Sequence, residues 1–511
     1  MIRNKVILFY PSPDEIKDGY SHPYFPLSLL KIGSELLNEG YDVKIIDERI
    51  NDNFFEEIQK DIINILCFGV TAMTGQQIKG GLNFSEFVKS LDKNIPVVWG
   101  GWHPTLEPES TVENKYIDIV VRGQGERTMA DLLNKGIVNK RFSEVDGITY
   151  KKNDKIMHSM NRKFEDVNNF CDIDMNLVDI EEYIYTTTIG TRCISWVTSQ
   201  GCPYGCGFCS TPTVFKRRWN GLSPERMIEQ VDQLVKLYQI DCVEFVDDNF
   251  FVNNRRIEDF CNGLINNGIK INWTSDVRID QIMRFSDSFI DLLTRSGCQL
   301  LLIGAESGDQ EVLDLIDKDI KVDQTLKAAN LLTRNNIDAL FFIIIGFPLN
   351  PIKDLDETLK LIKSIKRSSP NHRFGHFLYT PYPGTPLWSK FGKNHKLPKR
   401  LEGWIDSSLN KIQTPWVDDD YLDKANMFIN YFYYYAYPSD IVISRFSKGL
   451  KGKIIYFVHK IAKIRVKYDF YYFPIDWLLF KMWTTDRKVN YVGKIQSIFM
   501  PFKKIYKMMK Q

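Results

Sequence analysis

The sequence predicts an α/β protein: a doubly wound, Rossmann-like N-terminal domain (residues 1–140), a polar linker (141–190), a complete or partial βα barrel (191–400) and a helical C-terminal region (401–511). Two observations carry that reading. Short apolar runs alternate with helical periodicity through the first 135 residues, and the same alternation returns from about Ile194 to Leu387. Alternation of this kind implies right-handed crossovers and parallel sheets. Length agrees, because 511 residues ask for about three domains at roughly 100–200 residues each.

The elements follow in order. Val6–Tyr10 reads as the first strand, Leu27–Leu37 as a helix, and Tyr41–Asp47, Ile62–Val70, Val97–Trp99 and Ile117–Val121 as further strands. Parallel sheets bind ligands beyond the carboxyl ends of their strands. Three of those ends read Thr71-Ala-Met-Thr-Gly75, Gly100-Gly-Trp-His103 and Gly123-Gln-Gly-Glu126, where glycine lets a bulky ligand approach the backbone. The polar linker holds room for one hairpin around Lys151–Lys155. Beyond it Ile194–Val197, Val243–Val246, Leu300–Ile303, Leu340–Ile345 and Phe377–Tyr379 are barrel strands with helical segments between them. From about Leu401 the pattern changes to aromatic-rich helices.

Composition narrows the class. With 44% hydrophobic and 25% charged residues the chain is neither disordered nor a polytopic membrane protein. The net charge of +2 conceals an asymmetry: residues 441–511 carry 16 Lys and Arg against 3 Asp, whereas the other 440 residues are net negative by 11. No secretory leader and no run of 18 apolar residues is read, so the expected location is the cytoplasm, with nine reduced cysteines. That turns attention from disulfides to metal chemistry.

The most informative residues are Cys202-Pro-Tyr-Gly-Cys206-Gly-Phe-Cys209, three cysteines in eight residues spaced C-x3-C-x2-C. Such a loop can wrap three thiolates around one face of a [4Fe–4S] cube and leave the fourth iron open to chemistry. A structural zinc site is the competing reading, but it wants a fourth Cys or His in paired spacing and none follows closely. The spacing, the aromatic before the third cysteine and the βα repeats over roughly 191–395 resemble the radical S-adenosylmethionine (SAM) superfamily. That resemblance implies that Cys202, Cys206 and Cys209 ligate the cluster and that Phe208 lies against the adenine of SAM. It puts Asp247-Asp248 where the superfamily often carries a Gly-Gly-Glu grip on the methionine amine, a departure from the pattern. Glu306, in Gly304-Ala-Glu-Ser-Gly308, suits the ribose hydroxyls, and Gly346-Phe-Pro348 would pass close to the adenine. Each has a plainer alternative: Asp247-Asp248 as a helix cap, Glu306 in a solvated turn.

In the N-terminal domain the loop after the first strand, Tyr10-Pro-Ser-Pro-Asp14, lacks the G-x-G-x-x-G of a nicotinamide site. The domain instead looks like the cobalamin-binding domain fused to many radical SAM enzymes. Thr71-Ala-Met73 stands for the Ser-x-Leu of that fold, Gly100-Gly101 for its Gly-Gly strand end, and Gly123-Gln-Gly125-Glu126 for its last loop. The loop from Met73 through Gly75 to Ile78 would face the lower side of the corrin. None of the seven histidines sits in D-x-H-x-x-G, so cobalamin would bind base-off without a histidine ligand. A Rossmann-like domain without a ligand is the alternative.

In the tail, Ile454, Val458 and Ile461 share one helical face, flanked by Phe457 and Ile464, and Lys453, Lys460, Lys463 and Lys467 fall on an adjoining stripe. Tyr471-Tyr-Phe-Pro-Ile-Asp-Trp-Leu-Leu-Phe-Lys-Met-Trp483 follows. Two readings stay open: peripheral attachment of 441–511 to the inner face of a membrane, or a helical subdomain packed on the barrel with its lysines solvated. No RNA-recognition framework accompanies the aromatics, and nucleic acid is not an expected partner.

Taken together, the resemblance implies a cobalamin-dependent radical SAM enzyme with a [4Fe–4S] cluster, SAM and cobalamin. The leading reading is a methyltransferase at an unactivated carbon: one SAM methylates cob(I)alamin, a second yields a 5′-deoxyadenosyl radical, and the substrate radical takes the methyl group. The cofactors carry this chemistry, and no catalytic side chain is assigned. Alternatives are cyclisation or rearrangement without methyl transfer, and a non-catalytic cobalamin- or membrane-binding regulator with a structural metal. The implied partners are a small-molecule substrate, hydrophobic if the tail sits on lipid, and a low-potential electron donor such as flavodoxin or ferredoxin.

Overall fold

A computed structural model describes residues 3–13, 23–51, 53–392, 398–406, 414, 416–443, 446 and 449–485. The chain forms two compact units, one from residues 1–271 with 381–411 and one from 272–380 with 412–511.

The first unit is built on a seven-stranded sheet of β1 (Lys5–Tyr10), β2 (Asp42–Asp47), β3 (Ile65–Thr71), β4 (Val97–Gly100), β5 (Ile119–Val121), β6 (Ile148–Lys152) and β7 (Lys155–His158), in the order β2-β1-β3-β4-β5-β6-β7. The first five strands are parallel, and the hairpin β6–β7 from the polar linker adds antiparallel to β5. The order reverses between β1 and β3, the switch point at which a doubly wound sheet opens a ligand crevice. The core on one face gathers Phe9, Phe68, Val70 and Trp99 with Phe84 and Val88 of the Gln76–Leu91 helix. Gly81 lets that helix close on the sheet: a methyl group there would stand 2.8 Å from the Trp99 ring, whose Nε1 donates to Ser85 Oγ. Leu401 and Trp404, far along the chain, return to complete this core.

The same unit contains β8 (Cys193–Trp196), the short antiparallel pair β9 (Ser199–Gly201) and β10 (Trp219–Gly221), and β11 (Cys242–Phe245), which pairs in parallel with β8. The first sheet is tied to β8 where the Phe25 N–H donates to Ser195 Oγ (3.2 Å) and the Phe25 ring stacks on Trp196.

The second unit continues the βα repeat with β12 (Asn272–Arg278), β13 (Cys298–Glu306), β14 (Asp338–Ile345) and β15 (Arg373–Leu378), all parallel. The barrel reading is thus met by six parallel strands in βα order, β8, β11 and β12 to β15, which makes the barrel partial. β12 has no counterpart among the expected strands, because Asn-Trp-Thr-Ser-Asp-Val-Arg lacks an apolar run; its Thr274 and Ser275 are buried all the same. The C-terminal helices include Gly449–Lys467 and Ile475–Thr485. The buried seam of the first is Ile455, Ala462 and Val466, one residue round from the expected Ile454, Val458 and Ile461, with Phe457 and Ile464 left exposed. His459 fixes that rotation by donating from Nδ1 to Tyr435 O (2.8 Å). The basic run after residue 485 lies outside the described residues, as does the side chain of Trp483.

Candidate cofactor site

At the switch point the strand ends enclose a cavity of about 440 Å³, wholly within the first unit. β1 contributes Leu8 and Tyr10, β3 Gly69 to Thr71, and β4 Val98 and Gly100; the loop after β5 contributes Gly123 to Glu126. The far wall comes from the βα repeat: Val197, Ser199, Gln200, Val214, Phe215, Val246 and Asp248. Of the residues expected from sequence, Thr71, Met73, Gly100, Gly101, Gly123, Gly125, Glu126 and Asp248 line this one space. Gly75 does not; with φ +116° it starts the Gln76–Leu91 helix instead. Gly101 adopts φ +97°, and a methyl group there would meet Thr71 Oγ1 at 2.8 Å, so its bareness is built into the turn. Gly100 differs: an added methyl would make only ordinary contacts with Val121, which leaves its Cα open.

Sequence reasoning passed over the polar relay that joins the two walls. Gln124 Nε2 donates to Gln200 Oε1 (2.7 Å), and Gln200 Nε2 donates to Glu126 Oε1 (2.5 Å). It also missed Lys31, whose side chain lines the cavity from the Leu27–Asn38 helix. Burial lowers the pKa of the Lys31 ammonium, against the opposing pull of Glu126, Asp247 and Asp248. A lone lysine inside a helical pattern gives no sequence signal of this role.

The two aspartates at the end of β11 part company. Asp247 is buried and accepts from the Thr198 N–H and hydroxyl and from the Ser199 hydroxyl, so it fastens β11 to the end of β8. Thr198 is held from its other side by the buried Arg256. Asp248 accepts from the Gly201 N–H (2.9 Å) and turns toward the cavity. It is surrounded by protein yet reached by cavity water, and burial pushes its carboxyl up to about 6, with the Asp247 charge adding to the shift and the Gly201 bond opposing it.

The cysteine loop follows β9 directly. Cys206 is buried and Cys202 and Cys209 partly so, and the Cys209 N–H closes a turn on Cys206 O (3.1 Å). Asn249, next to the aspartate pair, donates from Nδ2 to Cys202 Sγ (3.7 Å). Burial raises the Cys202 and Cys209 thiols, the latter to about 11; the Tyr204 N–H and Asn249 oppose this at Cys202, and Thr211 opposes it at Cys209. N–H groups aimed at sulfur favour thiolates, the form that iron binds. Three thiols within eight residues of one loop suit the corners of a [4Fe–4S] cube. Phe208 is half-buried in this loop, and the Leu387 N–H donates to Gly207 O (2.9 Å).

Glu306 and Gly346 lie in the second unit. Glu306 ends β13 with φ +62°, and its carboxylate accepts from Lys318 Nζ at 2.6 Å, both groups buried. Gly346, after β14, is covered: Val417 and Leu378 would lie 2.8 and 2.9 Å from an added methyl, and Trp416 Nε1 donates to its carbonyl (2.8 Å).

Among the described residues no histidine lines the cavity. His103, at the β4 end, is buried against Trp404 with its pKa lowered by burial to about 4, and its Nδ1 meets Thr74 Oγ1 instead. A glycine-lined crevice whose far wall mixes Val197, Val214, Phe215 and Val246 with Ser199, Gln200 and Asp248 fits a flat macrocycle that carries polar side chains.

Comparison with known proteins identifies both domains. The radical SAM superfamily matches residues 196–362 and the B12 binding domain residues 20–133. An uncharacterized methyltransferase of Pyrococcus horikoshii is 32% identical over 75% of this chain and 82% of its own length. The anaerobic magnesium-protoporphyrin IX monomethyl ester cyclase of Rubrivivax gelatinosus is 25% identical over 76% of this chain and 69% of its own. The cobalamin-dependent SAM radical enzyme OxsB, solved with aqua-cobalamin and SAM, shares the fold with a TM-score of 0.71 at 18% identity, covering 96% of this chain and 77% of that one.

Proposed function

The chain belongs to the cobalamin-dependent radical SAM enzymes, and from that premise we propose that it methylates an unactivated carbon of a small-molecule substrate. Its cofactors are a [4Fe–4S] cluster, SAM and cobalamin. When bound, the cluster and SAM supply a 5′-deoxyadenosyl radical and cobalamin a transferable methyl group. The observation that carries the proposal is the continuity of one cavity from Thr71 and Gly100 to Asp248, with the cysteine loop directly after β9.

In this reading Cys202, Cys206 and Cys209 each hold one iron. Thr71, Met73, Gly100, Gly101, Gly123, Gly125 and Glu126 accommodate the corrin and its tail. Asp248 binds the amino group of SAM, Asp247 holds that strand end in place, and Phe208 lies against the adenine. Val197, Val214, Phe215 and Val246 keep water from the space between the cofactors, where a carbon radical must survive. Electrons come from a low-potential donor such as flavodoxin or ferredoxin.

The test needs no substrate. Reconstituted protein, reduced in the presence of SAM and hydroxocobalamin, should release both 5′-deoxyadenosine and S-adenosylhomocysteine. Deoxyadenosine alone would move the protein to the cyclases, and neither product would remove it from catalysis altogether.

No helix among the described residues is long and apolar enough to cross a membrane. The tail supports attachment to a surface. Phe457, Ile464, Tyr468, Tyr472, Phe473 and Leu479 are exposed, interleaved with exposed Lys453, Lys460, Lys463 and Lys467. Aromatic and cationic groups mixed in this way suit an anionic bilayer surface on the cytoplasmic side. Vesicle sedimentation should then require anionic lipid and weaken with salt.

A further inference from the structure

Lys31 is the one basic side chain among the described residues that lines the cavity; Glu126 and Asp248 line it too. Among the described residues it has no hydrogen bond and no ion pair within 4 Å. The carboxylates nearest to it in effect are engaged elsewhere: Glu126 by Gln200, Asp247 by Thr198 and Ser199, Asp248 by the Gly201 N–H and the Thr211 hydroxyl. A half-buried lysine that lines a cavity without an ion partner presents its charge to a ligand's acceptor.

We propose that Lys31 anchors the phosphodiester in the nucleotide tail of cobalamin. The inference rests on the cobalamin reading of the cavity and adds to it the group that recognises the tail. Three features choose the phosphodiester. The side chains around the corrin rim are neutral amides, whereas the phosphodiester is the tail's one anion. Leu29 and Ile32, from the same helix as Lys31, join Leu8, Gly69, Val98 and Val121 in an apolar slot suited to a planar aromatic base. The phosphodiester is tied to that base through a single ribose, so a cation beside the slot stands at the right chemical distance along the tail. Lys31 is therefore a positioning residue: it fixes the tail and, through it, the seat of the macrocycle.

The test compares two ligands on the full-length, cluster-reconstituted chain. Hydroxocobalamin carries the tail; dicyanocobinamide has the corrin but neither phosphodiester nor base. Binding is followed by visible absorbance after gel filtration and by titration. Lys31→Met keeps the length of the stem and removes the charge. It should weaken hydroxocobalamin about 10- to 100-fold, the range of a charge-assisted hydrogen bond, and leave dicyanocobinamide within about twofold. Lys31→Arg should restore most of the hydroxocobalamin affinity, and SAM affinity should not move in either variant. The ligand-free Lys31→Met protein should melt no lower than wild type, since Lys31 makes no ion pair among the described residues; a lower melting temperature together with loss of both ligands would count as misfolding and overturn the assignment. Equal weakening of both ligands would place the amine on the corrin instead, and weakened SAM would place it on the carboxylate of SAM. Unchanged hydroxocobalamin binding would end the proposal outright. Failure of the wild-type protein to retain hydroxocobalamin would strike the cobalamin reading itself, a result distinct from all of these.

Discussion

In the first unit the cavity wall stops short of packed partners: a methyl group on Gly100 would make only ordinary contact with Val121, Lys31 has no ion pair among the described residues, and Asp248 is exposed to the cavity. In the second unit the corresponding ends are met by the protein's own side chains. Lys318 holds the Glu306 carboxylate, and Val417, with the indole of Trp416, closes over Gly346. Groups left open at a cavity are available to a bound molecule, whereas groups that the protein's own side chains already satisfy have no such need of one.

The largest test of the comparison is the cysteine loop, which belongs to the open unit and has its sulfurs already hydrogen-bonded. Replacing Cys202, Cys206 or Cys209 by Ala should abolish iron–sulfur absorbance and SAM cleavage together. Cys242→Ala should keep both, although its sulfur touches Cys193, because that pair is buried between β8 and β11. A mutant of the loop with full absorbance would end the cluster assignment.

Next come the glycines. Gly100→Leu should lose hydroxocobalamin retention while keeping the cluster absorbance and the melting temperature near wild type, since the new side chain starts with only ordinary contacts to Val121 and extends into the cavity. Gly101→Leu should lose the fold as well, because a side chain at φ +97° would strike Thr71. If both variants stayed folded and retained cobalamin, the cavity would not be its seat.

Those glycines also define what was legible beforehand. The strand-end motifs at 71–75, 100–103 and 123–126 and the cysteine spacing could be read because each is contiguous and its chemistry is local. β12 could not, since tertiary burial of Thr274 and Ser275 overrides a pattern with no apolar run. Nor could Lys31 or the Gln124–Gln200–Glu126 relay, whose meaning depends on bringing together residues 70 or more positions apart. The covering of Gly346 is of the same kind, because Trp416 and Val417 come from a different segment of the chain. The tail helix was legible as amphipathic, but its seam is set by His459 reaching Tyr435, which periodicity does not encode.

The ion pair of the closed unit gives a smaller effect and separates stability from binding. Lys318→Met leaves the Glu306 carboxylate buried and unpaired and should lower unfolding stability by about 3–5 kcal/mol. The double variant Glu306→Gln with Lys318→Met should recover most of that loss, because a buried pair contributes little beyond its own cost. If Glu306 serves the ribose, the double variant will fold yet bind SAM about tenfold more weakly, as expected for the loss of a hydrogen bond to a charged group. Full SAM affinity would leave the pair a purely structural feature.

The smallest effect compares one carboxyl from each unit. Asp248 is pushed up to about 6 and Asp354, enclosed with Ser307 and Thr358 as donors, to about 7, both chiefly by burial. In each case the folded protein holds a proton that the unfolded chain gives up near pH 4. Stability supplied by the neutral form is therefore complete at low pH and declines as pH rises, through about 6 for Asp248 and about 7 for Asp354. Asp248 faces cavity water, which screens it, so about 1 kcal/mol of pH-dependent stability should survive there. Asp354 is 1% exposed and should contribute about 2–3 kcal/mol. Urea unfolding of the cofactor-free protein at pH 4.5 and pH 7.5 reads the difference. Asp248→Asn should remove the smaller part of the pH dependence and Asp354→Asn the larger. Equal contributions would mean that the cavity of the first unit shields its groups as fully as the packed interior of the second, and the contrast between an open and a closed site would fail.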